Sequence, residues 1–123
     1  MTQNNNRLSE ADLAQFTGSE SLYRHGLARS VLYTEGAQFL AEKAGAYWLL
    51  DEIAFAQRPG SKVAAEPFQH WKLTLSEGGS ANLSCDDGNG KVVLAKRIPF
   101  TDFPLPTLSL YVADKVIMLP GEY

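Results

Sequence analysis

YTEGAQFLAEKAGAYWLLDEIAFAQR, Tyr33–Arg58, is the stretch whose reading decides the fold. It reads as two helices joined at Gly45. Thr34 can cap the first, because its hydroxyl accepts from an early helix N–H, and Glu35 suits the positive helix end. Ala37, Leu40, Ala41 and Ala44 recur at i, i+3, i+4 and i+7 as one apolar stripe, with Glu35, Gln38 and Glu42 outside it. Gly36 is a poor helix former that a first turn tolerates. Gly45 suits the position after a helix end that needs positive φ.

The second helix, Ala46–Gln57, is more apolar than a surface helix should be. On a wheel of about 100° per residue, Leu49, Leu50, Ile53, Ala54 and Ala56 form one arc. The opposite arc sets Tyr47, Trp48 and Phe55 around Asp51 and Glu52. Such a helix is either covered on both sides or shows aromatics to a partner. Pro59-Gly60 ends it, since a residue before proline is pushed out of the α region.

Upstream, Ser9 can cap a short helix over Glu10–Phe16 that Gly18 breaks, and the asparagine-rich residues 1–8 read as a flexible end. Downstream the period changes to two. Phe68–Leu75 alternates, with Trp71, Leu73 and Leu75 as the core side and His70 and Lys72 on the other. Ala81–Cys85 and Lys91–Ile98 follow as strands, joined by a DDGNG connection. Pro99–Pro106 holds three prolines and cannot enter a ladder, so Phe100 and Phe103 are expected to pin this corner to the core. Thr107–Val112 and Val116–Leu119 make a last hairpin. The reading is α+β: one domain over residues 9–123, about five antiparallel strands in a meander of hairpins, with two to three N-terminal helices on one face.

Composition bounds the function. With 123 residues, 45% hydrophobic, the chain can bury a genuine core. A net charge of −3 argues against non-specific nucleic-acid binding. One cysteine, Cys85, leaves no internal disulfide and no Cys-rich zinc site. No apolar run is long enough to span a membrane and no signal-peptide core opens the chain, so a cytoplasmic setting without membrane contact is the expectation.

No stretch carries a firm catalytic or metal motif, and no cofactor is expected. CDDGNGK places Asp86, Asp87 and Asn89 together but lacks the alternation and the distal Glu of a calcium loop; a hairpin turn explains the same letters. GNGK has the wrong spacing for a phosphate loop. His25 and His70 share no ligand spacing with each other or with Cys85. Arg24, His25 and Arg29 form a basic cluster that reads either as an anion or ligand site or as structural partners for Glu42 or Asp51.

LYRH at Leu22–His25, the run Thr34–Ala54, FQHWKL at Phe68–Leu73, CDDGNG at Cys85–Gly90, IPFTDFPL at Ile98–Leu105 and the closing Leu110–Tyr123 together resemble a family of small bacterial proteins of plasmids, phages and other mobile elements. The resemblance implies a mobile-element setting and a single-domain fold, and transfers no catalytic residue. Contact with a protein partner, through Tyr47, Trp48, Asp51, Glu52 and Phe55, is therefore the first expectation: a modulator or inhibitor of a host defence or replication component. The alternatives are a small enzyme or ligand binder in which Arg24, His25 and Arg29 face Asp51 or Cys85, and specific DNA contact by Lys72, Lys91, Lys96 and Arg97. A homodimer through an exposed final strand is a further expectation.

Overall fold

Thr34 is both the last residue of a strand and the cap of a helix, and that joint sets the architecture. A computed structural model describes residues 8–17 and 21–123. Of the expected flexible end over residues 1–8, residues 1–7 lie outside the described residues, as does the break at Gly18. The elements are α1 (Glu10–Ala14), β1 (Leu22–Arg24), β2 (Leu32–Thr34), α2 (Glu35–Ala44), α3 (Tyr47–Phe55), β3 (Phe68–Leu75), β4 (Ala81–Asp86), β5 (Val92–Ile98), β6 (Thr107–Ala113) and β7 (Val116–Met118). Leu8, just before α1, is buried.

The class is α+β as expected, but among the described residues the sheet has seven strands, in the order β1-β2-β7-β6-β3-β4-β5. Two strands escaped the sequence reading because β1 and β2 are three residues each, too short for alternation to show. The order is not a simple meander. β3 pairs antiparallel with β6 across the β4–β5 hairpin, and β2 pairs parallel with β7. The final strand therefore lies inside the sheet, between β2 and β6, and the edges are β1 and β5.

The helix pair forms as its residues require. The Ala37 amide donates to Thr34 Oγ1 at 3.1 Å. Gly45 takes φ 63°, ψ 37°, and the Ala46 amide returns to the Ala41 carbonyl at 2.9 Å. Leu40, Leu49, Leu50 and Ile53 are sealed against Trp71, Leu73, Leu83 and Leu110 of the sheet. Each such aliphatic side chain contributes about 1.5–3 kcal/mol by leaving water. One polar pair lies inside this layer. The buried Gln57 and Gln69 amides exchange hydrogen bonds at 2.7 and 2.9 Å, and Gln69 also accepts from Trp71 Nε1 at 3.0 Å. Every polar atom there has a partner, which is the condition for keeping amides in a core.

The β4–β5 connection is a turn built on its own carboxylates. Gly88 donates to Asp86, and Asn89 and Lys91 donate to Asp87. The Asn89 amide first, and then that of Lys91, hold the Asp87 carboxyl below the usual range. At the proline corner, Phe103 is buried as expected but Phe100 is 74% exposed. Thr101 anchors in its place: its amide donates to the Gly79 carbonyl at 2.7 Å, and its hydroxyl accepts from Phe103 N at 3.1 Å.

Candidate functional site

The outer face of α3 lies between the β1–β2 hairpin and the edge strand β5. Leu49, Leu50, Ile53 and Ala54 point inward. On the other side Tyr47 and Phe55 are exposed, while Trp48, Asp51 and Glu52 are half-buried. All five residues singled out on this helix thus reach the surface, and Tyr47, Asp51, Glu52 and Phe55 each meet a side chain from outside the helix.

On the hairpin side, His25 is buried and its Nε2 lies 2.7 Å from Asp51 Oδ1. Its Nδ1 accepts from the amides of Leu27 and Ala28 at 3.1 and 2.9 Å. An imidazole that accepts at Nδ1 carries its proton on Nε2, so Nε2–H donates to Asp51. The ring stands edge-on to Phe55, with centroids 5.5 Å apart. Both ring nitrogens are occupied by bonds that tie the Leu27–Ala28 turn to the helix. Arg24 donates to the Arg29 carbonyl, and both arginines are exposed. Cys85 is the next-to-last residue of β4, fully buried, and burial with Asp86 and Glu66 nearby pushes its thiol up to about 12. At the start of α3, burial and the bond from Tyr47 Oη to Glu42 (3.0 Å) raise the phenol to about 12.

On the β5 side, Lys96 Nζ bridges both oxygens of Glu52 at 2.8 and 2.9 Å. Lys96 is directly opposite Leu83 in the register, so it faces the helix layer and reaches α3. The bridge separates two grooves of about 500 Å³ each. Trp48, Phe100 and Arg97 line the first, with Asp102. Phe55, Leu94, Arg58 and Lys62 line the second. Four basic and two acidic residues border the pair of grooves, Arg97 with its backbone since its side chain is on the other face, in a chain of net charge −3. The four cations considered for DNA contact do not form one row: Lys96 faces α3, while Lys72 and Arg97 lie on the opposite face of the sheet.

Arg58 and Lys62 had no sequence signal of their own, and Phe100 was expected to be buried in the core rather than exposed beside a groove. They meet only because β5 is an edge and the proline corner folds back beside it.

The chain belongs to a family of unknown function, DUF6876, whose model matches residues 7–123. No curated protein and no solved structure matches it. Among the described residues, no helix is long and apolar enough to cross a membrane.

Proposed function

From membership of that family as the starting point, we propose that this protein acts by binding a segment of another protein: an extended, acidic segment bearing apolar side chains, laid along β5. One observation carries the reading. The outer edge of β5 has no strand beside it among the described residues, and it borders two grooves lined by aromatic and basic side chains. An edge strand presents alternate unpaired N–H and C=O groups, and a partner strand satisfies them while its side chains enter flanking pockets. Apolar side chains would sit on Trp48 and Phe100 or on Phe55 and Leu94. Carboxylates would meet Arg97, Arg58 and Lys62. In the mobile-element setting that the sequence resemblance implies, the partner would be a host defence or replication component.

The test is selection from a random peptide display library against the folded chain. Acidic, β-prone peptides should be enriched, should shift the amide resonances of Val92–Ile98, and should lose at least tenfold in affinity on Arg97→Glu and on Arg58→Glu. Binders that map to other elements, or that prefer basic sequences, would overturn the reading. Binding of single-stranded nucleic acid with a steep salt dependence would replace it with the nucleic-acid alternative, since aromatics beside cations also suit stacked bases.

A further inference from the structure

On the face of the sheet away from α2 and α3, three strands bring together side chains far apart in sequence. In the register, His70 of β3 stands opposite Asp86 of β4, and Lys72 stands opposite Ser109 of β6. His70 Nδ1 lies 3.2 Å from Asp86 Oδ2, and His70 Nε2 lies 2.8 Å from Ser109 Oγ. The Asp86 carboxylate beside Nδ1 favours the tautomer with its proton there, which leaves Nε2 as the acceptor for the serine hydroxyl. This is the order of groups that activates a serine: a carboxylate orients an imidazole, and the imidazole receives the hydroxyl proton. The His70 and Asp86 side chains are 27% and 18% exposed, so the imidazole is shielded yet reachable. The Tyr111 ring stands edge-on against His70 at 5.6 Å and limits its rotation.

Ser109 has a second neighbourhood. It lines an apolar cleft of about 290 Å³ between β6, α1 and the chain end, with Leu13, Phe16, Leu105 and Leu119. Ser109 is thus the residue shared by the histidine–aspartate pair and the apolar cleft. Lys72 rises directly across from it and is exposed.

We propose that Ser109, His70 and Asp86 form an ester-hydrolysing site for small acyl esters, with the acyl chain in the cleft beside Ser109. Ser109 Oγ attacks the ester carbonyl carbon as its proton passes to His70 Nε2. The negative charge that develops on the carbonyl oxygen falls within the field of the Lys72 ammonium. Collapse breaks the bond to the alcohol oxygen, and His70 returns the proton to the leaving alcohol. The acyl group is now on Ser109. Water adds to it while His70 takes one water proton; the carboxylic acid leaves and Ser109 recovers its hydrogen. Ester and water are consumed, acid and alcohol are formed, and no redox partner is needed.

The experiment uses the full chain with p-nitrophenyl butyrate and, separately, an alkyl fluorophosphonate. The expected result is one phosphonate adduct on Ser109 by mass spectrometry, with fluoride released, and nitrophenolate turnover that falls at least about a hundredfold in Ser109→Ala and in His70→Gln. Asp86→Asn should lower kcat with KM unchanged, since Asp86 positions His70 without touching substrate. Ser84→Ala, on the same face but outside the group, should match the unmodified chain. Wild-type chain without an adduct, or with turnover equal to that of Ser109→Ala, overturns the proposal. Should a substitution unfold the chain by circular dichroism, the adduct on the unmodified protein decides alone.

Discussion

The Glu122 carboxylate accepts from the Gly36 amide at 3.1 Å, so the end of the chain closes over the start of α2. The same carboxylate accepts from Thr34 Oγ1 at 2.6 Å and from the Leu119 amide at 2.9 Å. An anion at a helix N-terminus meets unpaired N–H groups and the positive end of the helix dipole. This joint fixes how α2, and through Gly45 α3, sits on the sheet.

Gly36→Ala should therefore destabilise, although glycine is the weaker helix former. A Cβ at residue 36 would lie 2.5 Å from Glu122 Oε1 and 2.7 Å from Leu119 Cδ1. The carboxylate cannot swing away without leaving three donors. The expected loss is about 1–3 kcal/mol by urea unfolding, the range for overpacking, where an unobstructed helix site would gain about 0.5–1. In Glu122→Ala the same substitution should cost less, and a double-mutant cycle measures the difference. Additive effects would mean that the closure does not bear on Gly36.

The bond between His25 and Asp51 is expected to matter for stability. His25→Ala removes a buried ring and leaves the Leu27 and Ala28 amides without their acceptor, so it should cost about 2–3 kcal/mol. Asp51→Asn keeps an acceptor for Nε2–H at a half-exposed position and should cost under about 1 kcal/mol. Thermal unfolding of the two variants at one pH gives the comparison. Equal losses would contradict the proton assignment at Nε2.

Cys85 should behave as a small core residue. With its thiol pushed up to about 12, only a minute fraction is thiolate at pH 8, and the side chain is fully buried. Labelling by a disulfide reagent at pH 8 should proceed no faster than global unfolding and should accelerate in step with added urea. Prompt labelling of the native chain would place the thiol at the surface.

The helix pair was legible because its signals are local. Thr34, the Ala37–Ala44 stripe, Gly45 and Pro59-Gly60 each act within one turn. The alternation of β3 and the DDGNG hairpin are local too. What was hidden depends on pairing at a distance. β2 is a strand because β7 lies beside it in parallel, 84 residues away at the pair Leu32–Val116, and three residues cannot announce that. His70 was legible as an outward-facing residue, but its meeting with Ser109 needs the β3–β6 register. Phe100 was expected to anchor its corner because it is large and apolar. The corner is instead held by Thr101, whose hydrogen bonds carry no hydrophobic signal.

Tyr47 gives a pH test of the α3 surface. Its phenol is raised to about 12, first by burial and then by the bond to Glu42. A group whose folded pKa exceeds its unfolded value of 10.0 stabilises the fold below the unfolded value, and that contribution is lost as pH rises through the folded one. The stability difference between the unmodified chain and Tyr47→Phe should therefore be constant up to about pH 9 and shrink between pH 10 and 12. Urea unfolding at pH 8 and pH 11 measures it. Because the side chain is 39% exposed, water screens the interaction and the difference is expected to be small. A difference that grew with pH would mean that the phenolate is welcomed at the start of α3, and would reverse the sign of the charge that this end of the surface presents to a partner.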